Sequence, residues 1–258
     1  MALFGREPRP PLSTFVSLIW LADGYVAGPH RRERILPTGE CCLIIDLGAV
    51  GRAGVSGPQS QSFVIETSAQ FSVAGVQFKA GGAFPFFAVP LGDLANRHVP
   101  LDVLWGGLAR QLPEQVFEAA TPSQKLDVIE RFLIARLGRA RGNHRAVAYA
   151  IRVFERDPTL VRIADVTGRI GLSHRRFLDV FTNEVGLTPK LFCRIRRFQR
   201  VLQQIRTHRQ IEWADVALSC GYYDQAHFIK DFQAFSGLNP STYRASAGPH
   251  ANHVLLSD

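Results

Sequence analysis

Two clusters of side chains in the last third of the chain have the chemistry to read base-pair edges. The first is His174, Arg175 and Leu178, with Arg176 beside them. The second is Gln225, Ala226, His227 and Lys230. An arginine fits the O6/N7 pair of guanine, and a glutamine fits the N6/N7 pair of adenine. On a helical wheel these positions fall on one edge, near the start of each helix. The opposite edge is aromatic: Phe177 and Phe181 in the first cluster, Phe228, Phe232 and Phe235 in the second. Aromatics at that spacing serve a core rather than stacking on bases. Between the clusters lie Arg194, Arg196, Arg197 and Arg200. Arg194, Arg197 and Arg200, together with Arg176, are candidates for phosphate contacts, which set register without reading sequence. The bland alternative for these arginines is a basic, solvated helix face.

The elements that must position these clusters are visible as a repeat. IADVTGRIG (163–171) matches WADVALSCG (213–221), so Ala164, Asp165 and Val166 recur fifty positions later. After one extra residue the match resumes at an offset of fifty-one, with Ser173–Phe192 on Asp224–Tyr243. Each copy reads as a short helix, a glycine turn at Gly171 or Gly221, and a second helix. Glycine supplies the left-handed backbone of the turn, and Ser173 or Asp224 supplies the N-cap. This is a helix-turn-helix, a common motif when alone. Two copies within one basic region point more sharply to duplex nucleic acid. Pro189–Ile205 joins them as a helix with Phe192, Ile195, Phe198, Leu202 and Ile205 on an apolar stripe, and it would hold the units at a fixed separation.

Charge is distributed unevenly. Residues 141–258 carry 17 Lys+Arg against 10 Asp+Glu, and residues 1–140 carry 13 against 12, so nearly all of the net +8 sits in the second part. Such a balance suits a polyanion partner. The chain is 258 residues long and 46% hydrophobic, enough for two domains with real cores. No apolar run reaches the length of a membrane span. The opening MALFGREPRPPLSTF, with Arg, Glu and three prolines, does not read as a secretory leader. Cys41, Cys42, Cys193 and Cys220 show no CxxC spacing, and a reducing compartment is expected.

The first part reads as β. Apolar runs at 15–21, 40–47, 61–66 and 71–78 are separated by Gly/Pro turns, which suggests a sandwich or small barrel. From about Leu91 the spacing becomes helical, with Leu126, Ile129, Leu133 and Leu137 on one stripe. GRARGNH (138–144) is polar and basic, a candidate linker.

The repeat, the linking helix and the segment GYYDQAHFIKDFQAFSGLNPSTYR together resemble the DNA-binding domain of the AraC/XylS family of bacterial transcriptional regulators, over about His144–Ala245. The resemblance implies two second helices inserted into adjacent major-groove segments, with base contacts on Arg175 and its neighbours and on Gln225, Ala226 and Lys230. Asp179 departs from the family pattern. Its carboxylate would repel phosphate, accept from cytosine N4 or pair with Arg175. Upstream, HRRERILPTGECCLIIDLG and AGVQFKAGGAFPFFAVPLGDL resemble the N-terminal half of one branch of these regulators.

The expected fold is therefore α+β: a cupin-like sensory or dimerisation domain with trailing helices (1–138), a linker (139–143), a double helix-turn-helix domain (144–246) and a flexible tail (247–258). Expected partners are double-stranded DNA, RNA polymerase, a small-molecule effector and a second copy of the chain, in the cytoplasm at the nucleoid. Phe84, Phe86 and Phe87 in GAFPFF would either line an effector pocket or pack as core. Arg31, Arg32 and Arg34 are either a surface run or a site for an acidic ligand. Glu40 and Asp46 suit turn or surface roles. Cupin-like barrels hold metals on clustered His and carboxylates, but His30 and His98 are not clustered, so neither a metal nor a cofactor is expected. No P-loop, GxSxG or HExxH pattern is present, and no enzyme is expected. The rival reading is a cupin-type metal enzyme carrying a DNA-binding module.

Overall fold

The computed structural model describes residues 2–25, 32–48, 52–66, 71–87, 89–137, 142–156, 163–208, 211–246 and 250–256. The fold is α+β, as the residue patterns imply. Strands β1 (Ala2–Arg6), β2 (Val16–Tyr25), β3 (Arg32–Ile35), β4 (Cys42–Asp46), β5 (Ala53–Ser56), β6 (Phe63–Glu66), β7 (Phe71–Phe78) and β8 (His98–Pro100) come first. Helices α1 (Leu101–Trp105), α2 (Gln111–Glu118) and α3 (Pro122–Leu137) follow. The C-terminal helices are α4 (Arg145–Arg156), α5 (Ile163–Arg169), α6 (His174–Val185), α7 (Pro189–Thr207), α8 (Trp213–Ser219), α9 (Gln225–Ser236) and α10 (Pro240–Ser246). A last strand, β9 (His253–Leu256), closes the described chain.

Six strands form one antiparallel sheet in the order β1-β2-β7-β4-β5-β8. Alternation along β4 sends Leu43 and Ile45 inward, each fully buried, to meet Ile19, Leu21, Ala74 and Val76. The Leu126/Ile129/Leu133 face of α3 covers that core, as its spacing requires. Phe86 and Phe87 are buried in the same cluster. Phe86 meets Phe15 and Phe78, while Phe87 stacks on Trp105. The Trp105 indole N–H donates to the Phe86 carbonyl at 2.9 Å. These rings are packing, with the half-buried Phe84 at the cluster's margin.

The remaining strands form a second sheet, β6-β3-β9. Here the structure departs from a division of the chain at residue 138. Leu36 and Val254, each 1% exposed, belong to the core of the C-terminal helices. The tail expected to be flexible contains β9, which pairs antiparallel with β3 from Arg32↔Leu256 to Ile35↔His253. Around it, Leu36 N–H donates to the Asn252 carbonyl (2.8 Å) and the Tyr243 hydroxyl to the Ala251 carbonyl (2.6 Å). His253 Nδ1 lies 2.8 Å from a carboxylate oxygen of Glu33, itself buried. Backbone groups that would otherwise be unpaired at the edge of β3 are thereby satisfied. In the candidate linker, Gly142 and Asn143 belong to no helix or strand, with Asn143 Nδ2 donating to the Gly81 carbonyl at 2.9 Å, and 139–141 lie outside the described residues.

Candidate nucleic-acid interface

Both repeats fold as helix-turn-helix units. In the first, α5 ends at Gly171 (φ +67°), and α6 starts at Ser173, whose Oγ accepts from Arg176 N–H at 3.3 Å. In the second, α8 leads to Gly221 (φ +78°), and the Asp224 carboxylate accepts from His227 N–H at 2.7 Å. Each cap satisfies one N-terminal amide and contributes about 1 kcal/mol. Gly186 and Gly237 end α6 and α9 in the left-handed conformation. Gly186 also lies against the N-terminal half: a Cβ there would stand 2.5 Å from Pro58 Cγ and 2.8 Å from the Leu91 carbonyl oxygen.

The aromatic edges face inward. Phe177, Phe181, Phe228 and Phe232 are all fully buried. Phe181 meets Phe192 of α7 at 5.8 Å, and Phe232 meets Phe198 of α7 at 5.2 Å. The linking helix thus carries one aromatic anchor for each unit and fixes their relative placement. Opposite these anchors, His174, Arg175, Arg176 and Asp179 on α6, and Gln225, Ala226, His227 and Lys230 on α9, are exposed. Leu178 differs. It is half-buried and packed on the core, because its position on α6 adjoins the aromatic edge. Asp179 and Arg175 form no ion pair among the described residues.

The arginines between the units are mostly engaged inside the protein, which corrects their reading as phosphate contacts. Arg194 is paired with the buried Asp231 of α9 through Nη2 at 2.5 Å, and its guanidinium lies 5.2 Å from the Phe235 ring centroid. This pairing holds the Arg194 cation above its ordinary pKa, chiefly through the hydrogen bond to Asp231. Arg197 donates to the Gly221 carbonyl at 3.0 Å and lies over the Tyr222 ring. Arg200 donates to the Arg156 carbonyl at 2.7 Å, at the carbonyl end of α4 where a cation is favoured. Arg176 alone of the four candidates is exposed. A helical wheel places all of these outward, but it cannot show that a neighbouring helix presents a carboxylate or a free carbonyl there.

Other sequence candidates find definite places. Arg34 donates to the Ser236 carbonyl at 2.9 Å, capping the end of α9. Glu40 is neither a turn residue nor a free surface acid. It accepts from Gln77 Nε2 of the large sheet at 3.0 Å and from Arg196 Nη1 of α7 at 3.2 Å. Asp46 accepts from Gly48 N–H in a turn at 2.9 Å. The four cysteines are free thiols, and burial pushes them up, Cys42 to about 12 and Cys193 to about 11, so neither is a ready nucleophile. Among the described residues no group of three or more His, Cys, Asp or Glu could hold a metal ion. His30 and Arg31 lie outside the described residues. No described helix is long and apolar enough to cross a membrane.

Tyr223 was not among the sequence candidates, yet it is the most solvent-exposed large apolar side chain described, at 88%. The signal for it was present: it is the extra residue that shifts the repeat offset from fifty to fifty-one.

Comparison with known proteins finds matches in two separate stretches of the chain. Residues 166–246 match a helix-turn-helix domain family, and residues 6–100 match a domain of unknown function, DUF6597. An uncharacterized HTH-type transcriptional regulator of Haemophilus influenzae is 33% identical over 75 residues, 29% of this chain and 25% of that protein. The probable transcriptional regulator LumQ of Photobacterium leiognathi is 25% identical over 84 residues, 33% of this chain and 34% of that protein. The HTH-type transcriptional activator AarP of Providencia stuartii is 28% identical over 92 residues, 36% of this chain and 67% of that protein. The match therefore spans only a quarter and about a third of the first two relatives. Among solved structures, ToxT from Vibrio cholerae is similar with a TM-score of 0.45 and 10% identity, over 95% of this chain and 98% of that one. With two helix-turn-helix units on one linking helix, a matching helix-turn-helix domain family over residues 166–246 and regulator relatives aligned to that region, the C-terminal half of this chain is similar to the DNA-binding domain of AraC/XylS-family regulators.

Proposed function

We propose that this protein is a transcriptional regulator that binds duplex DNA, placing α6 and α9 in adjacent major-groove segments. One observation carries the reading: two capped helices, each exposing a hydrogen-bonding edge, are mounted by aromatic anchors on a single helix of 19 residues. His174, Arg175, Gln225, Ala226, His227 and Lys230 are the base-reading set, with Arg176 a phosphate contact. Affinity comes mainly from phosphates and the basic surface, and specificity from the two helix edges. The site of action is the bacterial cytoplasm at the nucleoid.

The N-terminal half tunes this binding, through a small-molecule effector, through self-association or through both. Its large sheet reaches α7 through Gln77, Glu40 and Arg196, and Arg34 reaches the end of α9. A change in that half would therefore be felt at the DNA-binding helices. RNA polymerase is the further partner such a regulator would engage.

Selection of bound sequences from a randomised duplex library by the purified chain tests the proposal. Enrichment of two half-sites about one helical turn apart is expected. Recovery of unenriched sequence, with binding to any polyanion alike, sinks it. A purified protein holding stoichiometric metal would instead favour the metal-enzyme reading.

A further inference from the structure

The second turn contains a residue that the first turn lacks. Gly171 and Leu172 precede the Ser173 cap, whereas Gly221, Tyr222 and Tyr223 precede the Asp224 cap. Leu172 and Tyr222 play the same part: the first packs on the core and the second is 3% exposed within it. The extra residue has no such part. Tyr223 is 88% exposed and makes no hydrogen bond or ring contact with the described residues. The bare ring adds little to the stability of the domain around it, and it stands at the entry of α9 where the first turn has no counterpart.

The two units also differ in charge at the start of their second helices. The first turn of α6 offers His174, Arg175 and Arg176, all exposed. The first turn of α9 offers Gln225, Ala226 and His227, and the His227 ring stands edge-on to Tyr222 at 5.3 Å. The sole Lys or Arg on α9 is Lys230, further along the helix, and Asp224 adds a negative charge at its start. This second helix therefore has no arginine with which to grip a phosphate at its entry to the groove. A phenol can fill that role: it is a neutral donor with an apolar body that rests against a sugar.

We propose that Tyr223 is the backbone anchor of the second unit, its hydroxyl donating to a DNA phosphate at the edge of the half-site and its ring lying against the adjoining deoxyribose. The inference rests on the DNA-binding reading above. Tyr223 fixes the register of α9 where α6 uses cations. It makes the second unit's grip on the backbone less salt-dependent than the first's, because a neutral donor releases no counterion.

The test uses the full chain, the duplex enriched by selection and a scrambled duplex of equal length, each titrated over a range of salt. Tyr223→Phe removes only the hydroxyl, and Tyr223→Ala removes the ring as well. Both should melt like the parent, since the side chain is exposed. Tyr223→Phe should bind both duplexes about 2- to 10-fold more weakly, as for loss of one hydrogen bond. The ratio of specific to scrambled binding and the salt slope should stay unchanged, and Tyr223→Ala should lose more. Parental affinity in both variants overturns the proposal. So does a loss confined to the enriched duplex, which would make Tyr223 a base contact. A parent with no sequence-selective binding fails before either variant is compared, and it removes the DNA-binding reading itself.

Discussion

Lys230 and Arg175 stand on exposed edges with no internal partner found among the described residues, so replacing either should cost the fold little. Their loss should show in specificity. Lys230→Ala and Arg175→Ala should each weaken binding to the selected duplex by about 1–3 kcal/mol and to a scrambled duplex by less. Competition titrations would check this, and equal losses on both duplexes would reduce the two residues to phosphate contacts. Arg194 belongs to another class, although it looks the same in sequence. Its guanidinium neutralises Asp231, whose side chain is 7% exposed. Arg194→Ala leaves that carboxylate unpaired and should destabilise the protein by about 2–3 kcal/mol, less than for a fully buried pair because the arginine is partly solvated. The slope of log affinity against log salt should be unchanged by Arg194→Ala and should fall by about one for Arg176→Ala. A flattened slope in the Arg194 variant would return that residue to the interface.

Among the elements, β9 overturns a simple expectation. Four residues, HVLL, between polar flanks carry no strong strand signal. Yet their register with β3 is complete, and Val254 enters the helical core. A chain ending after Ser246 would lose the burial of Val254 and the pairing along one edge of β3. Such a truncation should lower stability by about 2–3 kcal/mol, read by thermal or urea unfolding. An unaltered melt would make β9 an ornament rather than a fastening. The helices of the two repeats present the opposite case. Their caps, turns and aromatic stripes all act within a few residues, so the sequence pattern located them directly.

For the molecule as a whole, the two halves meet through polar links as well as apolar packing, and one of those links titrates. Burial raises the Glu40 carboxyl above its ordinary value of 4.5, opposed by the Arg196 charge and the Gln77 hydrogen bond. A carboxyl raised in the folded state holds its proton more tightly there than in the unfolded chain. Its contribution to stability is therefore fullest below 4.5 and is lost as pH rises through the folded value. Glu184, raised chiefly by burial while accepting from His144 N–H, works in the same direction. Glu40→Gln should shrink the decline in melting temperature as pH rises above 4.5 without abolishing it. An undiminished decline would show that Glu40 ionises as freely in the fold as outside it.

Taken alone, the sequence determined what depends on short-range pattern: the two helix-turn-helix units, the helix between them, the edge that each second helix turns outward, and the basic bias of that half. Those features follow from helical periodicity, glycine turns and capping residues, all within one or two turns of helix. Only the tertiary structure decided which arginines are free, that GAFPFF is packing, and that β3 and the tail complete the core of the C-terminal helices. The reason is distance along the chain. Glu33 meets His253 across 220 positions and Glu40 meets Arg196 across 156, and no local pattern records a partner so remote. Tyr223 lies between the two cases: the repeat marked its insertion, and the fold showed that its ring is bare.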